Sequence, residues 1–288
     1  VKVVRSLANL DEAERAVAIG TFDGVHRGHR AAIEAAKATG LRSAVVTFDP
    51  HPRRVLGYEV ELVSTLGRRI ELIDEIGPDE LLVLEFTPEL SRLEPEEFVR
   101  AVLEPLGTRV VVAAESFRFG HGRRGDVELL RGLGVDVQLV PQVEGVSSCR
   151  VRELLRAGDV VGAAALLGRP AEVEGLVVAG DQRGGTLGFP TANIAVEPGL
   201  LVPAHGIYAG SALGRRAAAS IGVNPHYGGS ERRIEAFLLD YEGDLYGQNL
   251  RLELWQRLRD ERAFASEEEL VRQIAVDVET TQKAIRPA

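Results

Sequence analysis

Five short runs in the first half of the chain, at 17–20, 43–48, 81–84, 109–113 and 135–140, are rich in valine, isoleucine and leucine and leave no clear polar face. Strands hidden from water on both sides have this pattern. Between them, at 31–39, 66–76 and 95–103, apolar residues recur three and four apart, the period of a helix with one buried face. Strands alternating with helices predict a parallel sheet covered on both sides, whose ligands bind beyond the carboxyl ends of the strands. Two more short helices are predicted at 151–157 and 160–167. Gly168-Arg169-Pro170 then breaks the pattern and suits an interdomain boundary.

Past Pro170 the texture changes. Short β-like runs at 174–179, 206–212, 217–222, 234–239 and 250–255 are set off by Gly, Pro and Asn, the spacing of a small antiparallel barrel. Ser266-Glu267-Glu268-Glu269 has the form of a capping box, and Leu270, Ile274 and Val278 follow at helical spacing. A terminal amphipathic helix docked on the barrel is therefore expected. The two domains are placed at 1–168 and 169–288.

Composition narrows the class. At 288 residues, 45% hydrophobic and 27% charged, the chain matches globular proteins and not fibrous or disordered ones. No apolar run approaches the roughly 18 residues of a membrane helix, and Lys2 and Arg5 come too early for a signal-peptide core. A cytoplasmic protein is expected, with no membrane partner. The single cysteine, Cys149, supplies neither an internal disulfide nor a thiolate zinc site; it is read as a small buried hydrophobe rather than a nucleophile. A net charge of −9, shared by both halves, leaves no basic stripe for nucleic acid. Small anionic ligands held locally fit better.

Candidate chemistry starts at 20–29, which read GTFDGVHRGH between a predicted strand and a predicted helix. A helix N-terminus offers unpaired N–H groups and the positive end of a dipole. Gly20, Gly24 and Gly28 allow close backbone approach, so phosphate is the natural ligand of this turn, which includes Phe22 and Asp23. His26 and His29, three apart, can donate to non-bridging phosphate oxygens where charge grows. Taken alone, the HxGH triplet reads more simply as a tight turn whose histidines merely cap the helix.

Further segments follow in order: TFDPHP at 47–52, FRFG at 117–120 and SSCRVR at 147–152. With the histidine turn, these resemble the HxGH nucleotidylyltransferases, and in particular the adenylyltransferase half of bacterial bifunctional riboflavin kinase/FAD synthetases. The resemblance implies a Rossmann-like domain in which His26 and His29 contact the ATP phosphates and Ser147 and Arg152 hold the triphosphate or departing pyrophosphate. The loop with Ser116, Phe117, Phe119 and Gly120 would help bind nucleotide and flavin. Ser116 stands where the family usually has Asp or Asn, and Cys149 where it usually has Thr.

In the second half, GGTLGFPTANI at 184–194 follows Gly180. A glycine-dense loop entering a Pro-Thr-x-Asn turn gathers N–H groups, a hydroxyl and an amide suited to phosphate and a hard cation. A simple Asn turn has the same bare pattern. Together with HGIY at 205–208, SIGVNP at 220–225, EAFLLD at 235–240 and LR at 258–259, this segment resembles the riboflavin kinases. On that likeness Gly180, Gly184, Gly188, Pro190 and Arg259 contact ATP or flavin, Thr191 and Asn193 position Mg2+ and the ATP phosphates, and Glu235 accepts the proton of the riboflavin 5′-hydroxyl. Without the likeness, Glu235 reads as a strand carboxylate paired with Arg232 or Arg233. Gly185 lies where a basic residue is common, and His226-Tyr227 replaces a usual Thr-Phe pair.

The resemblance implies a bifunctional enzyme that uses ATP to convert riboflavin to FMN and FMN to FAD, as a monomer or weak homo-oligomer. A riboflavin kinase with an impaired adenylyltransferase domain, or a non-catalytic flavin- and nucleotide-binding regulator, is the alternative.

Overall fold

The computed structural model describes residues 1–180, 189–223 and 232–288, in two compact units, Val1–Ser147 and Ser148–Ala288. The elements of the first unit are β1 (Lys2–Val4), β2 (Arg15–Ile19), α1 (Arg27–Ala38), β3 (Arg42–Asp49), α2 (Pro52–Val55), α3 (Leu66–Asp74), β4 (Glu80–Glu85), α4 (Pro88–Arg92), α5 (Pro95–Phe98), β5 (Thr108–Ala113), α6 (Val127–Gly132) and β6 (Asp136–Leu139). All strand pairs are parallel, in the order β1-β4-β3-β2-β5-β6.

The consecutive apolar positions serve both faces of the sheet. Val17, Ala44, Val46, Leu82 and Val111 face one core with Phe98, Val102, Leu106 and Leu130. Ala16, Ala18, Val45, Leu81 and Val83 face another with Ile33, Leu72 and Ile73. Each fully buried aliphatic side chain contributes roughly 1.5–3 kcal/mol. The chain order reverses between β2 and β5, so the carboxyl end of β2, where the histidine turn begins, borders the crevice at which such sheets bind ligands.

The second unit opens with α7 (Ser148–Arg156) and α8 (Val160–Leu167), followed by β7 (Ala171–Val178), β8 (Ala192–Val196), β9 (Gly206–Ala212), β10 (Arg215–Val223), β11 (Arg232–Leu238), β12 (Asn249–Arg259) and α9 (Glu267–Lys283). The six strands close into an antiparallel barrel, β10-β11-β8-β7-β12-β9. Its interior holds Ile194, Ala219, Ile221, Ile234, Ala236 and Leu252. The compact units divide at 147/148, not at the 168 expected from the Gly-Arg-Pro break. Val160, Ala163, Ala164 and Leu167 of α8 are buried, and α8 packs on β7 and β12. The glycine break ends a helix without ending a core.

The Ser266 side chain caps α9 at the Glu269 N–H, while the Glu269 carboxylate accepts from Ala265. The deepest α9 residues are Asp277 and Thr281, so a polar clasp joins the half-buried Leu270, Ile274 and Val278 in docking the helix. Among the described residues no helix is long and apolar enough to cross a membrane.

Candidate functional site

The turn between β2 and α1 is held in an unusual backbone. Phe22, Gly24 and Val25 have φ of 49°, 76° and 38°, a region that costs non-glycine residues about 1–3 kcal/mol each. Burial of Phe22 and Val25 in the core beside α1 offsets that strain. The other anchor is Asp23, which is 0% exposed. Its carboxylate accepts from Val63 N at 2.9 and 3.1 Å and from Ser64 N at 3.1 Å, while Ser64 Oγ accepts from Gly24 N at 3.1 Å. Asp23, expected among the phosphate contacts, spends its carboxylate on backbone and fixes the turn.

His26 is the N-cap of α1, and its Nδ1 accepts from His29 N at 3.2 Å. A neutral His26 accepting at Nδ1 carries its proton on Nε2, as a donor. The capping reading is thus present at Nδ1, and an anion contact by His26 would use Nε2. The two imidazoles stack, with centroids 3.6 Å apart and planes 12° from parallel, and Phe22 lies 5.0 Å from His29. A Cβ on Gly28 would sit 3.3 Å from the His26 ring, so glycine there leaves room for the stack. His29 Nδ1 is buried without a hydrogen-bond partner among the described residues. Desolvation, reinforced by His26 and Arg69, holds the His29 pKa well below its ordinary value. A buried ring nitrogen without a hydrogen-bond partner, beside a helix N-terminus, makes His29 a candidate contact for an anion.

Two of the other segments lie at or after the carboxyl ends of β3 and β5. TFDPHP ends β3: Thr47 Oγ1 donates to the Thr21 carbonyl at 3.0 Å, and His51, buried, caps α2. After β5, Ser116 is exposed, and the following loop is preformed. Phe119 pairs with Gly125 in both directions, at 3.0 and 2.9 Å. Phe117, Phe119 and Phe98 form an aromatic run with centroid spacings of 5.7 and 5.9 Å. Gly120 adopts φ 70°, and a Cβ there would lie 2.8 Å from Pro95; Phe119 and Gly120 thus shape the loop. Gly20 ends the strand, its N–H on the Val46 carbonyl. Ser147 is exposed at the end of the first unit, and Arg152 is buried in α7 of the second. Cys149 is exposed in the first turn of α7, which overturns the buried reading, because the apolar face of that helix is carried by Val151 and Leu155.

On the barrel, register builds the second constellation. Glu235 of β11 lies directly opposite Asn193 of β8 and Ser220 of β10. Ile234 and Ala236 point into the core, so Glu235 points out. Thr191 Oγ1 donates to Glu235 Oε2 at 3.2 Å. Arg233 Nε donates to Asn193 Oδ1 at 2.8 Å and lies 3.0 Å from Glu235 Oε1. The Arg233 pairing expected of an ordinary strand carboxylate is present, but so are the hydroxyl and amide. Phe189 packs edge-on against Phe237, centroids 5.4 Å apart, seating the exposed Pro190 and the half-buried Thr191 beside β11. A side chain on Gly180 would overlap the Asn193 amide. Gly184, Gly188, Gly185, His226 and Tyr227 lie outside the described residues.

Arg259 is placed elsewhere. It makes a bidentate pair with buried Asp277 of α9, at 2.7–3.2 Å, and its guanidinium lies 5.8 Å from the Phe264 ring centroid. It ties α9 to the barrel. Two residues near the constellations carried no functional expectation: Arg233, considered only as an ordinary ion-pair partner, and Arg69 of α3.

Both constellations fall within matched families. FAD synthetase matches residues 9–151 and riboflavin kinase matches residues 167–285. The bifunctional riboflavin kinase/FMN adenylyltransferase of Bacillus subtilis is 35% identical over 96% of this chain and 93% of its own. The Pseudomonas fluorescens protein of the same name is 36% identical over 100% and 99%. The chain belongs to the bifunctional riboflavin kinase/FMN adenylyltransferase family. A crystal structure described as a macrolide-efflux protein from Streptococcus pneumoniae shares this fold with a TM-score of 0.88, at 29% identity over 97% of this chain and 98% of that one. That description belongs to the streptococcal protein. Residues 152–166, most of α7 and α8, lie outside both family matches.

Proposed function

We propose that this member of the family makes FAD in two ATP-dependent steps, the barrel phosphorylating riboflavin to FMN and the parallel-sheet unit transferring the adenylyl group of ATP to FMN with release of pyrophosphate. The observation that supports this reading is that each family-matched half holds its own constellation of chemistry suited to phosphate: the stacked His26–His29 pair at a helix N-terminus and the Thr191–Glu235–Asn193 group on the barrel.

In the kinase step a primary alcohol is a poor nucleophile, and Glu235 is the group that orients it and takes its proton as the γ-phosphoryl group transfers. Thr191 holds that carboxylate. Among the described residues no cluster of three or more His, Cys, Asp or Glu could cage a metal, whereas Thr191 and Asn193 offer the neutral hard oxygens that suit Mg2+ shared with ATP phosphates. They would hold the ion, which when bound offsets phosphate charge. Asn193 Oδ1 accepts from Arg233 Nε and, as an amide oxygen with two lone pairs, would still have one for the ion.

In the adenylyl step the FMN phosphate attacks the α-phosphorus. The α1 N-terminus and the His26 and His29 rings stabilise the charge that develops on the phosphate oxygens. Ser147 and the Phe117–Gly120 loop are assigned contacts with the nucleotide and flavin. We place the enzyme in the cytoplasm, acting on small molecules as a monomer or weak homo-oligomer.

Chromatography of riboflavin, FMN and FAD after incubation with MgATP tests the assignment. Riboflavin is expected to give FMN and then FAD, and FMN alone to give FAD. Glu235→Ala should slow FMN formation about 10²- to 10⁴-fold and leave conversion of FMN to FAD intact; His29→Ala should do the reverse. Loss of both activities in folded protein from either change refutes two independent sites. FMN accumulating without FAD in the unaltered protein refutes the adenylyl step.

A further inference from the structure

Arg69 occupies a position that an aliphatic residue would ordinarily fill. It lies on the inward face of α3 with Leu72 and Ile73 and is 1% exposed. Its Nη1 donates to the Phe48 carbonyl at 3.0 Å and to Thr47 Oγ1 at 3.3 Å, both at the carboxyl end of β3. Because Thr47 Oγ1 accepts from Arg69, its proton is directed to the Thr21 carbonyl, 3.0 Å away. Thr21 is the second residue of the histidine turn. A continuous relay thus runs from α3 through β3 to the turn that carries His26 and His29.

This guanidinium has no carboxylate among its hydrogen-bond acceptors. The oxygens to which it donates are uncharged, and its Nε is buried without an acceptor among the described residues. Asp23 and Asp49 act on it through space and burial opposes its charge. Buried charge is costly and is retained where it serves another group. The groups facing His29 are His26, stacked on it from the cap of α1, and Arg69 from α3. The Arg69 charge disfavours a second positive charge on the His29 ring.

We propose that Arg69 is a positioning residue of the adenylyl-transfer site: it fixes the Thr21 carbonyl through Thr47 and sets a permanent positive charge beside His29. This rests on the assignment of adenylyl transfer to the histidine turn. The consequence is a turn whose backbone does not yield when a polyanion binds, and an imidazole kept in the neutral form. The incoming phosphates then meet an environment already organised for negative charge, with no reorganisation left for the reactive step.

The test uses the full chain with Arg69→Met, which keeps length and removes charge and donors, and Arg69→Lys, which keeps charge and a donor. Three quantities are read: kcat and KM for FAD formation from FMN and ATP, riboflavin phosphorylation by the same molecules, and the ring titration of His29 by NMR, assigned through His29→Gln. Arg69→Met is expected to lower kcat for FAD formation about 10- to 100-fold with little change in KM for ATP. It should raise the His29 midpoint and leave riboflavin phosphorylation unchanged. Arg69→Lys should recover most of the rate and the original titration. An unchanged His29 titration in Arg69→Met, or a loss of rate that lysine does not rescue, overturns the proposal and leaves Arg69 a packing residue. If Arg69→Met does not fold, Thr47→Val decides, since it cuts the relay without touching the charge: FAD formation at the original rate overturns the proposal. Full FAD formation by His29→Ala would instead remove the assignment of the site itself.

Discussion

Replacing Asp23 by alanine removes the carboxylate that ties the histidine turn to the segment before α3. Asp23 is 0% exposed and receives the backbone N–H groups of Val63 and Ser64 at 2.9–3.1 Å. Hydrogen bonds to a charged acceptor are worth roughly 1.5–3 kcal/mol each, so losing two costs the first unit about 3–6 kcal/mol, against domain stabilities of about 5–15 kcal/mol. With a urea dependence of about 1–3 kcal/mol per molar, the midpoint of that unit should fall by about 2 M. Freed of this anchor, the positive-φ backbone at Phe22 and Val25 can relax, and FAD formation should fail before riboflavin phosphorylation does. The sole tryptophan, Trp255, lies buried in the barrel, so its fluorescence reports the second unit, while hydrogen exchange of peptides from 15–49 reports the first. The expected result is a large loss of protection in those peptides at urea concentrations where Trp255 emission is unchanged. Asp23→Asn, which keeps an acceptor and loses the charge, should fall between. Destabilisation of Asp23→Ala by less than about 0.5 kcal/mol, the range of an ordinary surface change, would refute the anchoring argument.

Arg259→Ala should destabilise the barrel by about 2–4 kcal/mol, because it leaves the buried Asp277 carboxylate without its bidentate partner; urea unfolding followed by Trp255 emission measures this. A raised KM for riboflavin or ATP with unchanged stability would restore Arg259 to the substrate site. Acid should also weaken the first unit through His29. Its folded-state pKa is depressed, so below about 6.5 the unfolded chain binds a proton that the folded chain does not, and stability present above that pH is lost as pH falls toward the folded value. Between pH 7.5 and 5.5 this linkage removes at most about 1.4 kcal/mol. His29→Gln should flatten that part of the profile; an identical profile in the variant contradicts a neutral His29.

The sequence by itself determined the architecture of both units, because each rests on local pattern. Runs without a polar face, such as 43–48, can be satisfied only by a sheet covered on both sides, and β3 is buried along its length. The Gly- and Pro-punctuated runs after 170 predict the strands of the closed barrel. The residues of the two constellations stood out in the sequence by their ordered motifs, and the structure sets His26 on His29 and Glu235 beside Thr191. Elements with weak local signals were missed: β1 is three residues long with one charged, β8 starts within the last residues of the GGTLGFPTANI segment and ends at Val196, and α6 spans only six residues.

What only tertiary structure decided is how the polar side chains are used. Asp23 and Arg259 looked like ligand contacts in their motifs, yet their partners lie 40 and 18 residues away, and no periodicity encodes such a pair. Arg69 left one trace, a cation in step with Leu66, Leu72 and Ile76 on the apolar stripe of its helix, but its meaning depended on β3 and the turn meeting it in space. The division at 147/148 has the same origin. A glycine break is a local event, whereas membership of a core depends on which apolar faces meet, and the aliphatic face of α8 meets the barrel.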